Sequence, residues 1–271
     1  MVEHIDGPLY VERAGREGTP MILIHSLPND HSVWLYQIAH LATWYRVVAV
    51  DLPGLGRSPR TRPGLSMADL SAACWDALDA VSREPAIIVG LSIGAGIAKY
   101  MAVSRPDRTR ALVVTGAGYH QEGGALVAKR ILRHEPGYLR DGIAYRRTQL
   151  EGNFSEAFRS SDLGRYFVDL FAERNATADV SSILALLRAH DPADPPDLHG
   201  AIAAPTLIVA GGADRSLERQ RELQRRVAGA ELVVLDGAGH CCNMEQPWAY
   251  DAAVLGFLAR NGLGGPGTSG G

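Results

Sequence analysis

Six short stretches of the chain are apolar at nearly every position: 21–25 (MILIH), 46–50 (RVVAV), 86–90 (AIIVG), 111–115 (ALVVT), 206–210 (TLIVA) and 231–235 (ELVVL). A strand with one wet face alternates apolar and polar residues. Continuous Val, Ile and Leu instead imply strands covered on both faces, as in a parallel sheet. Between most of these stretches the period becomes that of a helix. Residues 66–81 place Ala73, Trp75, Leu78 and Val81 on an apolar face behind Ser66, a residue type that caps helix N-termini. Helices are also expected over 97–104, 217–227 and 248–260. Strands alternating with helices predict an α/β sheet with right-handed crossovers.

Residues 119–198 break this rhythm. They are helical in pattern, rich in arginine and aromatic residues, and lack a strand-like run of the same quality. They read as a helical cap inserted between the stretches at 111–115 and 206–210, with residues 1–118 and 199–261 forming the core. Pro192, Pro195 and Pro196 mark the return to the sheet, since proline cannot continue a helix. Residues 262–271 (GLGGPGTSGG) have almost no side chain to bury and are expected to be a disordered tail. No internal repeat is evident.

Composition narrows the class. A chain of 271 residues, 46% hydrophobic and 21% charged, suits one large α/β domain with an insertion. A formal charge of −3 supplies no field for nucleic acid. The most apolar segment, 86–98, falls short of the roughly 20 residues that span a bilayer. The N-terminus carries acids where a signal peptide would be basic, then apolar. Cys74, Cys241 and Cys242 have no framework spacing, which argues against a disulfide scaffold and favours a cytoplasmic setting. No metal or cofactor is expected. The expected partner is a small-molecule substrate; homo-oligomerisation is left open.

The chemistry concentrates where apolar stretches end. Gly90-Leu91-Ser92-Ile93-Gly94 is a G-x-S-x-G between a buried strand and a helix, the setting of a nucleophile elbow, where serine sits on a sharp turn flanked by small residues. The competing view is an ordinary strand-to-helix turn with a serine cap. Dinucleotide and P-loop readings fail, because the third glycine and the Gly-Lys-Ser/Thr are both absent. A serine hydroxyl needs a base. His240 follows the 231–235 stretch in a glycine-rich turn and fits that role, whereas His25 is expected to shape the loop in front of the serine. Asp214 follows the 206–210 stretch and would hold the imidazole. Taken alone, Asp214 could be no more than a helix N-terminal acid. The order Ser, Asp, His, each after its own strand, favours the catalytic reading. The backbone N–H groups of Ile93 and Leu27 are the expected oxyanion donors, since Pro28 has none to give. Ser26, Trp34, Tyr119 and His120 are candidate pocket residues, with ordinary packing an equal alternative for the last three.

With these motifs in hand, HSLPNDHSVW (25–34), DLPGLGRS (51–58), GLSIG (90–94), GGADRS (211–216) and GAGHCCNMEQPWAY (237–250) resemble the α/β-hydrolase superfamily. The nearest members are small bacterial esterases and the 3-oxoadipate enol-lactonase-like group. The resemblance runs from about residue 21 to 258 and implies an eight-stranded, mostly parallel sheet, a helical cap, and a triad at Ser92, Asp214 and His240. Relatives that carry the acid one strand earlier are not matched, because 115–118 (TGAG) holds none. His25-Ser26 departs from the usual His-Gly. Pro28 is similar to the loop of haloalkane dehalogenases and epoxide hydrolases, but those attack with aspartate, and serine here rules out both chemistries.

The expected activity is cleavage of a carboxylic ester or lactone through an acyl-enzyme on Ser92. The alternatives are C–C bond hydrolysis, a lyase or cofactor-independent oxygenase reaction, perhydrolysis, or a non-enzymatic ligand receptor on the same fold.

Overall fold

All six apolar stretches are strands in the computed structural model, which describes residues 9–61, 63–118, 142–174, 178–190 and 193–264. They are β2 (Pro20–Ile24), β3 (Arg46–Val50), β4 (Ala86–Leu91), β5 (Thr109–Thr115), β6 (Thr206–Gly211) and β7 (Glu231–Leu235). A further strand, β1 (Val11–Ala14), pairs antiparallel with β3 at one edge; every other pairing is parallel. The sheet order is β1-β3-β2-β4-β5-β6-β7. Seven strands are therefore present among the described residues, against the eight implied by resemblance. β1 escaped the apolar pattern because an edge strand needs no continuous apolar run. β7, at the other edge, is half-buried rather than covered on both faces, and Val234 is exposed.

The strands divide their side chains between two cores by simple alternation. Ile22, Ile24, Val48, Val50, Ile88, Leu112 and Ile208 face one side. Met21, Leu23, Val47, Ala49, Ile87, Val113 and Leu207 face the other. The second side is covered by α1 (Leu35–Leu41) and the C-terminal helix, which contributes Tyr250, Val254 and Phe257. The first is covered by α2 (Met67–Asp79) and α3 (Ile93–Ser104). Ser66 caps α2 as expected, in a reciprocal box with Asp69. Trp75 and Leu78 are buried, while Ala73 and Val81 only flank the core. α3 begins four residues earlier than the pattern suggested, directly after Ser92.

Between β5 and β6 lie α4 (Gly142–Glu151), α5 (Glu156–Arg159), α6 (Asp162–Arg174) and α7 (Val180–Ala189). Among the described residues they form no large core of their own, only a small cluster of Leu184 with Val180 and Leu187. Leu150, Phe154, Phe167 and Phe171 join the second core, and Ile183, Leu186 and Ala189 join the first. The remaining helices are α8 (Leu217–Arg226), α9 (Cys242–Glu245) and α10 (Pro247–Arg260). Among the described residues no helix is long and apolar enough to cross a membrane. All three cysteines are free and buried.

The expected tail begins too early at 262. Leu263 is only 5% exposed, and its carbonyl accepts a hydrogen bond of 2.9 Å from the Tyr45 hydroxyl. Leu263→Ala should therefore cost about 2–5 kcal/mol in urea unfolding, the range for emptying a buried leucine site. An unchanged midpoint would show that the buried Leu263 side chain contributes nothing.

Candidate active site

Parallel strands present their C-terminal ends along one edge of the sheet, and the candidate residues follow those ends. Ser92 comes directly after β4 with φ 58° and ψ −116°, and it is the one non-glycine residue at positive φ among those described. Such a conformation costs about 1–3 kcal/mol and persists only where the surroundings enforce it. Here the Ser92 N–H donates to the Thr115 carbonyl (2.8 Å), and the Ser92 carbonyl accepts from Ala95 and Gly96 (3.0 and 3.1 Å). The flanking glycines are a matter of space. A Cβ on Gly90 would lie 2.3 Å from the Gly94 carbonyl oxygen, and one on Gly94 would lie 2.2 Å from that of Ile24. Helix α3 can start under β2 and against β4 only because neither residue has a side chain.

His240 lies in the loop after β7, and its Nδ1–H donates to Asp214 Oδ2 at 3.0 Å. The carboxylate also accepts from the Ser216 N–H and hydroxyl (both 2.8 Å) and from Gln220 Nε2 (3.0 Å). Burial pushes the Asp214 carboxyl up, but the hydrogen bond and charge of His240 and the two Ser216 bonds outweigh it and hold the group at about 2. An ionised carboxylate only accepts, so Nδ1 carries the proton and Nε2 of a neutral ring is left as a base. The ring lies over Gly116: a Cβ there would be 2.7 Å from His240 Cε1. Gly116 follows Thr115, whose carbonyl holds Ser92, so the imidazole and the serine turn both adjoin the end of β5.

Gln220 is a site residue that sequence reasoning missed. Fully buried on α8, it donates to Asp214 and accepts from the Gly116 N–H (3.2 Å), joining the ends of β5 and β6. Its signal was faint: a polar residue six positions after the acid, on a helix otherwise rich in charge. Ser216, at the N-cap of α8, was equally silent.

In the loop after β2, buried His25 is held neutral. Its Nε2 accepts from the Leu52 N–H (2.8 Å), its Nδ1–H donates to the Ser26 carbonyl (2.9 Å), and burial lowers its pKa. Ser26 is fully buried and accepts from Asn29 Nδ2 (2.7 Å). Among the described residues neither the Leu27 nor the Ile93 N–H has a hydrogen-bond acceptor. Trp34 is fully buried against Tyr250, with ring centroids 6.1 Å apart, so it packs the core instead of lining open space. Tyr119 and His120 lie outside the described residues. Asp30, His31 and Asp51 have the spacing of metal ligands, but their oxygens are occupied. Asp51 accepts from the His31 N–H, the His31 ring and the Arg57 N–H; Asp30 accepts from Ser32 and Arg174. This group braces the loop.

A depressed carboxyl pKa contributes stability that is complete above its ordinary value and lost as pH falls through the folded value. For Asp214 that window runs from the ordinary 3.8 down to about 2. Asp214→Asn should flatten it: over that window wild type should lose about 2 kcal/mol more than the variant in denaturant titrations. Parallel pH curves would contradict the assigned charge state.

Residues 21–250 match the alpha/beta hydrolase family. The 3-oxoadipate enol-lactonase 1 of Acinetobacter baylyi is 28% identical over 258 residues, covering 92% of each chain. The pimeloyl-[acyl-carrier protein] methyl ester esterase of Neisseria meningitidis is 31% identical over 247 residues, covering 87% of this chain and 75% of its own. The crystal structure of the enol-lactonase from Burkholderia xenovorans LB400 superposes with a TM-score of 0.84 at 22% identity, covering 93% of this chain and 96% of that one, which speaks for the fold. The family match spans most of the chain, from the first buried strand into the last helix, and on that ground this protein is a member of the α/β-hydrolase family.

Proposed function

We propose that this hydrolase cleaves a carboxylic ester or lactone of a small molecule through an acyl-enzyme on Ser92. The observation that carries the reading is Ser92 held at positive φ on the β4–α3 turn, with the Asp214-bonded ring of His240 over the adjoining end of β5.

Nε2 of His240 takes the proton as Ser92 Oγ attacks the carbonyl carbon, and Asp214 stabilises the imidazolium that forms. Negative charge moves to the carbonyl oxygen. The N–H groups of Leu27 and Ile93 would receive it, and both lack an acceptor among the described residues. Collapse breaks the C–O bond, and the alcohol leaves with the proton from His240. Water, deprotonated by His240, then attacks the acyl-enzyme, and its breakdown returns the proton to Ser92. A lactone follows the same course with the alcohol still attached to the acyl group. No step calls on a cofactor. The names of the two curated relatives, an enol-lactonase and a methyl ester esterase, agree with a carbonyl–oxygen bond as the target.

A fluorophosphonate probe should label wild type at Ser92, and short p-nitrophenyl esters should turn over. Ser92→Ala should abolish labelling and lower kcat by about 10⁴-fold or more. Turnover of the natural substrate that survives in Ser92→Ala would transfer the site to C–C cleavage, lyase or oxygenase chemistry. Asp214→Asn should lower kcat by about 10⁴-fold, through the wrong tautomer, with KM little changed.

A further inference from the structure

The residues on both sides of His240 are bonded to the segment inserted between β5 and β6. On the N-terminal side, the Gly239 N–H donates to Glu245 Oε1 (2.9 Å). The same oxygen accepts from the Ser155 N–H (2.9 Å), and Oε2 accepts from the Ser155 hydroxyl (2.5 Å). On the C-terminal side, the Cys241 N–H donates to the Asn153 carbonyl (2.9 Å). The approach is close enough that a Cβ on Gly239 would lie 2.5 Å from the Ser155 nitrogen and 2.8 Å from the Phe154 carbonyl carbon. Phe154 is itself anchored in the second core, and Ser155 caps α5.

We propose that Glu245 is a positioning residue, whose carboxylate pins the loop of His240 to the 153–155 turn of the insertion and so sets where the imidazole sits over the end of β5. The inference rests on the acyl-transfer reading for its catalytic consequence, though the geometry stands without it. Two N–H groups from different segments converge on one oxygen, so losing the carboxylate leaves both donors unpaired and frees the backbone next to the base. Displacement of a reacting group by about 1 Å can cost 10²-fold in rate. The insertion then belongs to the machinery of the reaction and not only to substrate selection.

Glu245→Ala is expected to lower kcat on p-nitrophenyl acetate by about 10²-fold while KM moves less than about threefold. Glu245→Gln keeps one carbonyl oxygen for both N–H donors, and its amide can donate to the Ser155 hydroxyl; it should recover most of the rate. Ser155→Ala, a milder change, should lower kcat by several-fold and add nothing to Glu245→Ala in the double variant. A second readout does not depend on turnover. The proton between His240 Nδ1 and Asp214 should give a far-downfield NMR resonance in wild type and in Glu245→Gln, and a shifted or broadened one in Glu245→Ala and Ser155→Ala. If wild type turns over no ester but this resonance responds as described, the acyl-transfer reading fails and the positioning role stands. If melting temperature falls while kcat, KM and the resonance keep their wild-type values, the positioning role is overturned. A Glu245→Gln variant as impaired as Glu245→Ala would equally overturn it, by assigning the effect to charge.

Discussion

Backbone has to touch backbone where β4 turns into α3. The first turn of the helix sits against the carbonyl of Ile24 on one side and the end of its own strand on the other, with no room for a Cβ at Gly94 or Gly90. That contact forces the chain to reverse within a single residue, and Ser92 adopts the left-handed conformation as a result. The remainder of the site is arranged around that one reversal. The carbonyl of Thr115 secures the serine nitrogen, which places the end of β5 beside the turn. Gly116 then leaves the space that the imidazole occupies.

His240 and Asp214 lie far along the chain from Ser92, yet their positions are over-determined. Asp214 receives hydrogen bonds from His240, Ser216 and Gln220, and Gln220 reaches on to Gly116. The ends of β5 and β6 and the β7 loop are thereby tied through side chains as well as through the sheet. On the opposite flank, the Cys241 N–H donates to the Asn153 carbonyl. Burial holds the Cys241 thiol in its neutral form, so this cysteine acts as a small polar packing group.

What the sequence made legible follows from what burial demands. A strand covered on both faces must be apolar throughout, so β2 to β6 stand out by composition alone. β1 is an edge strand, partly exposed, and carries no such demand. Ser92, Asp214 and His240 stood out as candidates because each follows a recognisable strand, and strand ends in a parallel sheet share an edge. Gln220 and Glu245 did not, because what marks them is hydrogen bonding to backbone N–H groups far away in sequence, to which no periodicity points. Trp34 was ambiguous for a related reason: an aromatic residue after a site loop looks the same whether it faces a ligand or Tyr250. The tail was misplaced because a lone leucine among glycines gives no pattern, although Leu263 finds a buried seat.

The helices between β5 and β6 reach into the cores on both faces of the sheet, Phe171 on one and Leu186 on the other. A segment wedged in this way is not modular. A foreign segment put in place of these helices would have to match two independent packing surfaces, one on each side of the sheet. Replacements on the faces of these helices that touch neither core are therefore the ones that leave both packing surfaces intact.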